Sequence, residues 1–173
     1  VRNNATQVAS GGASVAISNY IAATGLGAVA FGYLSRATAP NATALGVTVD
    51  ATGTNSLSAG IANTSSGAAS ITLGHGNTAT ASFGQAVGEA VTNFGTGAIG
   101  QGTSLTVSGN FTVMHGQLGD DRGNGGARIW SPISINSSSA KGHSQVEDYL
   151  FVNSTAGSSA VRLTTTNAAA GSA

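Results

Sequence analysis

Few residues in this sequence could do chemistry, and their spacing decides which chemistry that would be. Cleaving a glycosidic bond takes two carboxylates about 5 to 10 Å apart across a groove. The repetitive part of the chain offers only Asp50 and Glu89, which lie far apart in sequence. Asp120/Asp121 and Glu147/Asp148 are direct neighbours, so in an extended chain the members of each pair point to opposite sides. His75, His115 and His143 share no metal-ligand spacing within one chain, although a three-fold axis could gather three copies of His115. No serine sits in a nucleophile elbow, and the glycines are periodic instead of forming one phosphate loop. There is no cysteine, so thiolate sites and disulfides are both out of reach. These residues predict a protein that is not an enzyme, with no catalytic residues, no cofactor and no bound metal.

Asn4, Asn41, Asn63, Asn110, Asn136 and Asn153 stand in Asn-x-Ser/Thr sequons. In a chain this rich in Asn, Ser and Thr, coincidence explains them better than glycosylation. Six basic residues balance six acidic ones, which gives no basic field for nucleic acid. No run of eighteen apolar residues is present and no basic-then-apolar leader, so neither membrane insertion nor a signal peptide is expected in this segment. Val1 reads as the start of a fragment or a processed chain.

The elements that must position these side chains have little to build with. Charged residues are 7% of the chain against roughly 25% in ordinary soluble domains, aromatics are 5%, and Trp130 is the only tryptophan. A thick core cannot be assembled from such side chains. Yet 40% of residues are apolar and the net charge is zero, which argues against a self-repelling coil. The arrangement of the residues therefore decides the fold.

Glycine falls at Gly32, Gly46, Gly60, Gly74, Gly88, Gly102 and Gly116, each fourteen residues after the last, with Ser18 continuing the series backwards. Cutting after each of these turn glycines gives coils such as NYIAATGLGAVAFG (19–32) and IANTSSGAASITLG (61–74). The seventh position of every coil is Gly or Ala, from Gly11 to Gly109, so each coil carries two turn signals half a coil apart. Between them the pattern has period two, the signature of strands. The fourth and sixth positions are mostly hydroxylated, as in Thr64/Ser66 and Thr78/Thr80, with a small fifth residue such as Ala51 or Ala79 between them. That strand has one wet face. The tenth and twelfth positions are small, as in Ala28/Ala30 and Ser56/Ser58, and suit the inside of a narrow roll.

The eleventh and thirteenth positions carry the bulk: Val15, Ile17, Val29, Phe31, Leu45, Leu57, Ile71, Leu73, Val87, Ile99 and Val113. A strand with no polar face is covered on both sides, and the roll can cover only one of them. Stacked at one coil spacing, these side chains would expose an apolar stripe larger than soluble monomers tolerate. An identical copy is the economical cover. The pattern predicts an all-β fold: a parallel β-roll, or solenoid, of fourteen-residue coils, homotrimeric, with the eleventh and thirteenth columns at the three-fold axis. Eight coils at about 4.8 Å would give a rod of roughly 38 Å. Gln85, Gln101 and His115 interrupt the stripe and are expected at a partly hydrated axis.

NATALG (41–46), SLSAG (56–60) and ASITLG (69–74) resemble the YadA-like head repeats of trimeric autotransporter adhesins, which also resemble segments of bacteriophage fibres. The resemblance covers about residues 5–116. It implies a left-handed parallel β-roll that packs as a trimer and serves attachment. Residues 1–116 are thus expected to form the rod, 117–128 a charged linker or neck, and 129–173 a small β segment, truncated or intertwined. Within that segment KGHSQVEDYLFVNSTAGSSAVRLTTTN resembles a small β domain of phage virion structural proteins. A heptad stalk and a membrane anchor, which an autotransporter would show next, do not follow. The expected role is a structural fibre of a bacteriophage virion, such as a tail fibre, that presents or mediates attachment to the host. Its expected partners are its own copies, other virion fibre or baseplate proteins, and a bacterial surface receptor. The alternatives are the head of a bacterial trimeric autotransporter adhesin at the cell surface and an ice-binding solenoid. Against ice binding, Arg36, Asp50 and Phe94 interrupt the flat threonine array.

Overall fold

The computed structural model describes residues 7–123, 125–131 and 146–149. Two sheets run the length of a solenoid of about nine turns. A narrow sheet of eight short strands begins at Gln7–Ala9 and ends at Thr106–Val107. A wide sheet of ten strands, mostly five residues each, begins at Val15–Ile17 and ends at Val146–Tyr149. Each coil up to Val113–Gln117 contributes one strand to each sheet and lies over the next with an offset of fourteen. Ile71 pairs with Leu57 on one side and Gln85 on the other, and Gly74 with Gly60 and Gly88. The pairing is parallel throughout the stack, as the period required.

Two residues per coil turn the corners in the left-handed region. Second-position residues such as Leu34, Thr48, Ala62 and Ala90 have φ of 53° to 55°, and ninth-position residues such as Ala13, Asn41, Ala69 and Phe83 have φ of 53° to 59°. Each corner N–H reaches back one coil, as in Ala62 N to Val47 O at 2.9 Å and Asn41 N to Leu26 O at 2.8 Å. The fourteenth-position glycines have φ between 117° and 145°, a region that L side chains rarely adopt, and in this column only Ser18, at the first described coil, does so with φ 116°. Space disfavours a side chain too. A Cβ on Gly60 would stand 2.0 Å from the carbonyl oxygen of Gly74 in the next coil. The seven-fold repetition of glycine is thus a consequence of coils stacked at hydrogen-bonding distance.

The interior is one side chain thick. Tenth- and twelfth-position residues such as Ala28, Ala30, Ala42 and Ala44 are fully buried, facing fifth-position residues such as Ala23, Ala37 and Ala51. Four of the largest buried side chains, Ile21, Val49, Val91 and Leu105, occupy a column that sequence reading passed over, the third position, while Met114 and Ile129 stand opposite in the twelfth. Where that column is bulky the opposite wall shrinks. A Cβ on Gly100 would meet Val91 Cγ1 at 2.8 Å and Val107 Cγ2 at 3.0 Å.

Between an apolar section from Ile21 to Val49 and Ala51 and another from Ala79 to Ile129, the interior turns polar. Ser58, Asn63, Ser65, Ser70, Thr72 and Asn77 are all fully buried there. Buried polar groups must find partners, and an amide ladder supplies them. Asn63 Nδ2 donates to Ala59 O (2.6 Å) and Gly74 O (2.7 Å), while its Oδ1 accepts from Asn77 N at 2.7 Å. Asn77 repeats the arrangement one coil on, with Leu73 O, Gly88 O and Val91 N.

Residues 117–123 and 125–128, expected within a linker over 117–128, instead form most of a further turn. Ala127–Ser131 pairs in parallel with Val113–Gln117, Val113 opposite Arg128 and His115 opposite Trp130. The offset is fifteen, so one extra residue hides the coil from a search at period fourteen. Left-handed Arg122, Gly123 and Gly126 take up the surplus. The rod therefore runs past Gly116 through Ser131. The small β segment begins with Val146–Tyr149, which pairs antiparallel with Ala127–Ser131 and so ends the parallel stack. The strand-like runs expected elsewhere in residues 132–173 lie outside the described residues.

The narrow sheet stops earlier, by a different device. In each preceding coil the sixth-position N–H bonds the carbonyl thirteen residues on, as in Thr38 N to Ala51 O (3.1 Å) and Ser66 N to Ala79 O (2.9 Å). At Ser108 the acceptor is the Asp121 side chain. Its buried carboxylate takes Ser108 N (2.8 and 3.0 Å), Gly109 N (2.7 Å) and Gly123 N (3.0 Å).

Candidate functional site

Among the described residues the chemistry-bearing side chains do not converge. Asp121 is committed to the backbone of its own sheet end, and Asp120 Oδ1 accepts Arg122 N at 2.8 Å. Asp50 pairs with Arg36 of the adjacent coil at 2.9 Å in an exposed bridge on the narrow sheet. Glu89 stands 3.7 Å from His75 Nδ1 on the wide sheet, with both side chains more than half exposed. His115 neighbours Trp130, their rings 6.1 Å apart. Among the described residues no three His, Asp or Glu side chains come together as metal ligands. His143, Glu147 and Asp148 fall where no side chain is described. Of the sequons, Asn63 is fully buried and occupied by the internal ladder, whereas Asn41 and Asn110 are exposed. Asn4, Asn136 and Asn153 lie outside the described residues.

What the fold does build is a continuous outer face on the wide sheet. Its strands are pleated, so residues two apart share a side. With the tenth and twelfth positions inside, the eleventh and thirteenth must point outward, and they do. Val15 (43%), Ile17 (51%), Phe31 (53%), Leu45 (39%) and Leu73 (36%) are the more exposed members. Val29, Leu57, Ile71, Val87, Ile99 and Val113 are half-buried beneath their neighbours along the stack. From Val29–Tyr33 to Val113–Gln117 the strands continue past the column glycine, and the first position of the following coil joins the same face. Tyr33 (45%), Val47 (42%) and Ile61 (52%) make it three columns wide. Sequence reading missed this third column because cutting the chain after each glycine placed these residues in the next coil.

The face changes character along the rod. From His75 onward its outward positions include Gln85, Glu89, Gln101, Thr103, His115, Gln117 and Arg128. Gln101 is exposed, whereas Gln85 and His115 are half-buried. The large exposed apolar side chains of this half lie mostly elsewhere: Phe83 and Phe111 at the ninth position and Phe94 at the sixth. On the narrow sheet the fourth and sixth columns face outward, as in Thr64, Thr78 and Thr80, and the Arg36–Asp50 bridge and Phe94 interrupt them. Among the described residues no helix is long and apolar enough to cross a membrane.

The comparisons with known proteins address the coils themselves. No curated protein matches the chain. The family model of the YadA head domain repeat matches residues 23–47 in two copies, a segment that the structure shows as consecutive turns of the solenoid. Residues 23–47 carry YadA-like head repeats, and the coils that follow keep the same fourteen-residue register.

Proposed function

We propose that this chain is the rod of a homotrimeric adhesive fibre, a non-catalytic spacer that holds a receptor-contacting region away from the surface that bears it. One observation carries the reading: a three-column apolar face of a single chain, exposed from Val15 to Leu73, with the pitch of the coil stack. Only a partner with the same pitch matches it along its length, and a sister copy has that pitch by construction. The YadA head repeat adds support, since that family's heads are trimeric and serve adhesion. The partners in this reading are two further copies and a receptor on a bacterial surface.

The carrier of the fibre is the finer part of the proposal. The YadA head match favours a fibre on a bacterial cell surface. A virion fibre, joined to other fibre or baseplate proteins, is favoured by the likeness of residues 141–167 to a β domain of phage virion proteins. Antibody against the chain distinguishes the two: it labels intact virions in one case and outer-membrane fractions of the producing cell in the other. The trimer itself is tested by substitution. Leu57→Asp or Ile71→Asp abolishes association, while Thr78→Asp on the narrow sheet leaves it intact. Equal tolerance at all three positions contradicts the reading.

A further inference from the structure

Building on the trimeric reading, we infer that the seam between copies is dry only along residues 15–73 and is hydrated from His75 onward. The outward positions of the first stretch are Val15, Ile17, Val29, Phe31, Tyr33, Leu45, Val47, Leu57, Ile61, Ile71 and Leu73, with Thr43 and Ala59 among them. None is charged. Side chains of this kind gain by leaving water together, and a second copy offers the same ladder at the same spacing.

Past Leu73 the same columns present His75, Gln85, Glu89, Gln101, Thr103, His115 and Gln117, with Val87, Ile99, Val113 and Trp130 interspersed. Drying them would strip water from amides and carboxylates without supplying new partners, a cost that apolar contact here cannot offset. Three copies of Glu89 would also face one another across the axis. Within one chain His75 is its neighbour, at 3.7 Å and exposed to solvent, where such a pair contributes little. Of the large exposed apolar side chains described in the second half, Trp130 alone stands on this face, while Phe83, Phe94 and Phe111 lie on other columns. The occupant of the dry half is a second copy of this chain; a charged partner finds nothing there to pair with.

Sedimentation equilibrium of the whole chain tests this with Leu45→Asp, Ile61→Asp and Gln101→Asp. The first two are expected to raise the concentration for half-association at least ~100-fold, because a carboxylate replaces a side chain buried in all copies. Gln101→Asp introduces the same charge in a wet stretch and is expected to change it less than ~10-fold. Leu45→Thr, which keeps a strand-forming residue like its neighbour Thr43, must weaken association in the same direction while the β-sheet circular dichroism stays unchanged. If Gln101→Asp dissociates the protein as fully as Leu45→Asp, or if Leu45→Asp leaves association untouched, the division of the seam is wrong although the trimer stands. If the unaltered chain never associates, the trimeric reading itself fails and the inference falls with it.

Discussion

At the scale of single residues the fold is set by backbone conformations that side chains either permit or forbid. Gly60 has φ 117° and the carbonyl oxygen of Gly74 lies 2.0 Å from where its Cβ would be. Gly60→Ala should therefore destabilise by about 3 kcal/mol or more, read as a lowered urea midpoint. Two residues along, Ala62 has φ 53° and pays for a left-handed corner that glycine occupies without strain. Ala62→Gly should be neutral or stabilising by up to about 1 kcal/mol in the same titration. The opposite signs of two small substitutions in one turn separate crowding from backbone preference. Asn77 gives a third test. Asn77→Ala removes the partners of Leu73 O, Gly88 O and Val91 N inside a dry interior and should cost roughly 2 to 4 kcal/mol. The column glycines were legible because seven of the eight positions from Ser18 to Gly116 admit no side chain beneath the next coil. The third position was not, since its occupants Ile21, Ser35, Val49, Asn63, Asn77, Val91, Leu105 and Gly119 share burial but no chemistry. Each is matched to the residues across a core one side chain thick, and that matching lies in three dimensions.

At the scale of elements the question is how a stack of open-edged strands ends. Both sheets would otherwise leave a row of unpaired backbone groups, a template for further strands. In the wide sheet the parallel series ends at Ala127–Ser131, against which Val146–Tyr149 pairs antiparallel. The narrow sheet is closed by the Asp121 carboxylate, which stands in for the carbonyl of a next strand at Ser108 and Gly109. Hydrogen bonds to a charged acceptor are worth roughly 1.5 to 3 kcal/mol. Asp121→Ala should accordingly speed amide hydrogen exchange at Ser108 and Gly109 by ~10-fold or more while exchange at Thr64 and Thr78 is unchanged. Uniform loss of protection along the rod would show that Asp121 supports the whole fold and not its end. This end was not legible in the sequence. The aspartates read as a charged linker, because one inserted residue moves the register from fourteen to fifteen and because a carboxylate replacing a carbonyl leaves no pattern in residue type.

At the scale of the whole molecule, a thin interior stands beside a broad apolar exterior, and the proposed trimer would answer both. The interior of alanine, serine and asparagine buries little area per residue, while Ile17, Phe31, Tyr33 and Ile61 each leave about half their surface in water. The outer columns at the eleventh and thirteenth positions were legible because alternation against small neighbours has a single physical reading, a sheet covered on both sides. The width of the face was not, since its third column is separated from the other two by the glycine that marks the repeat. The central claim is that sister copies cover this face, and the mass of the folded protein in solution tests it most directly. Sedimentation equilibrium over a wide concentration range should give a species of three times 16.7 kDa. A folded species that stays at 16.7 kDa at every concentration would contradict the account.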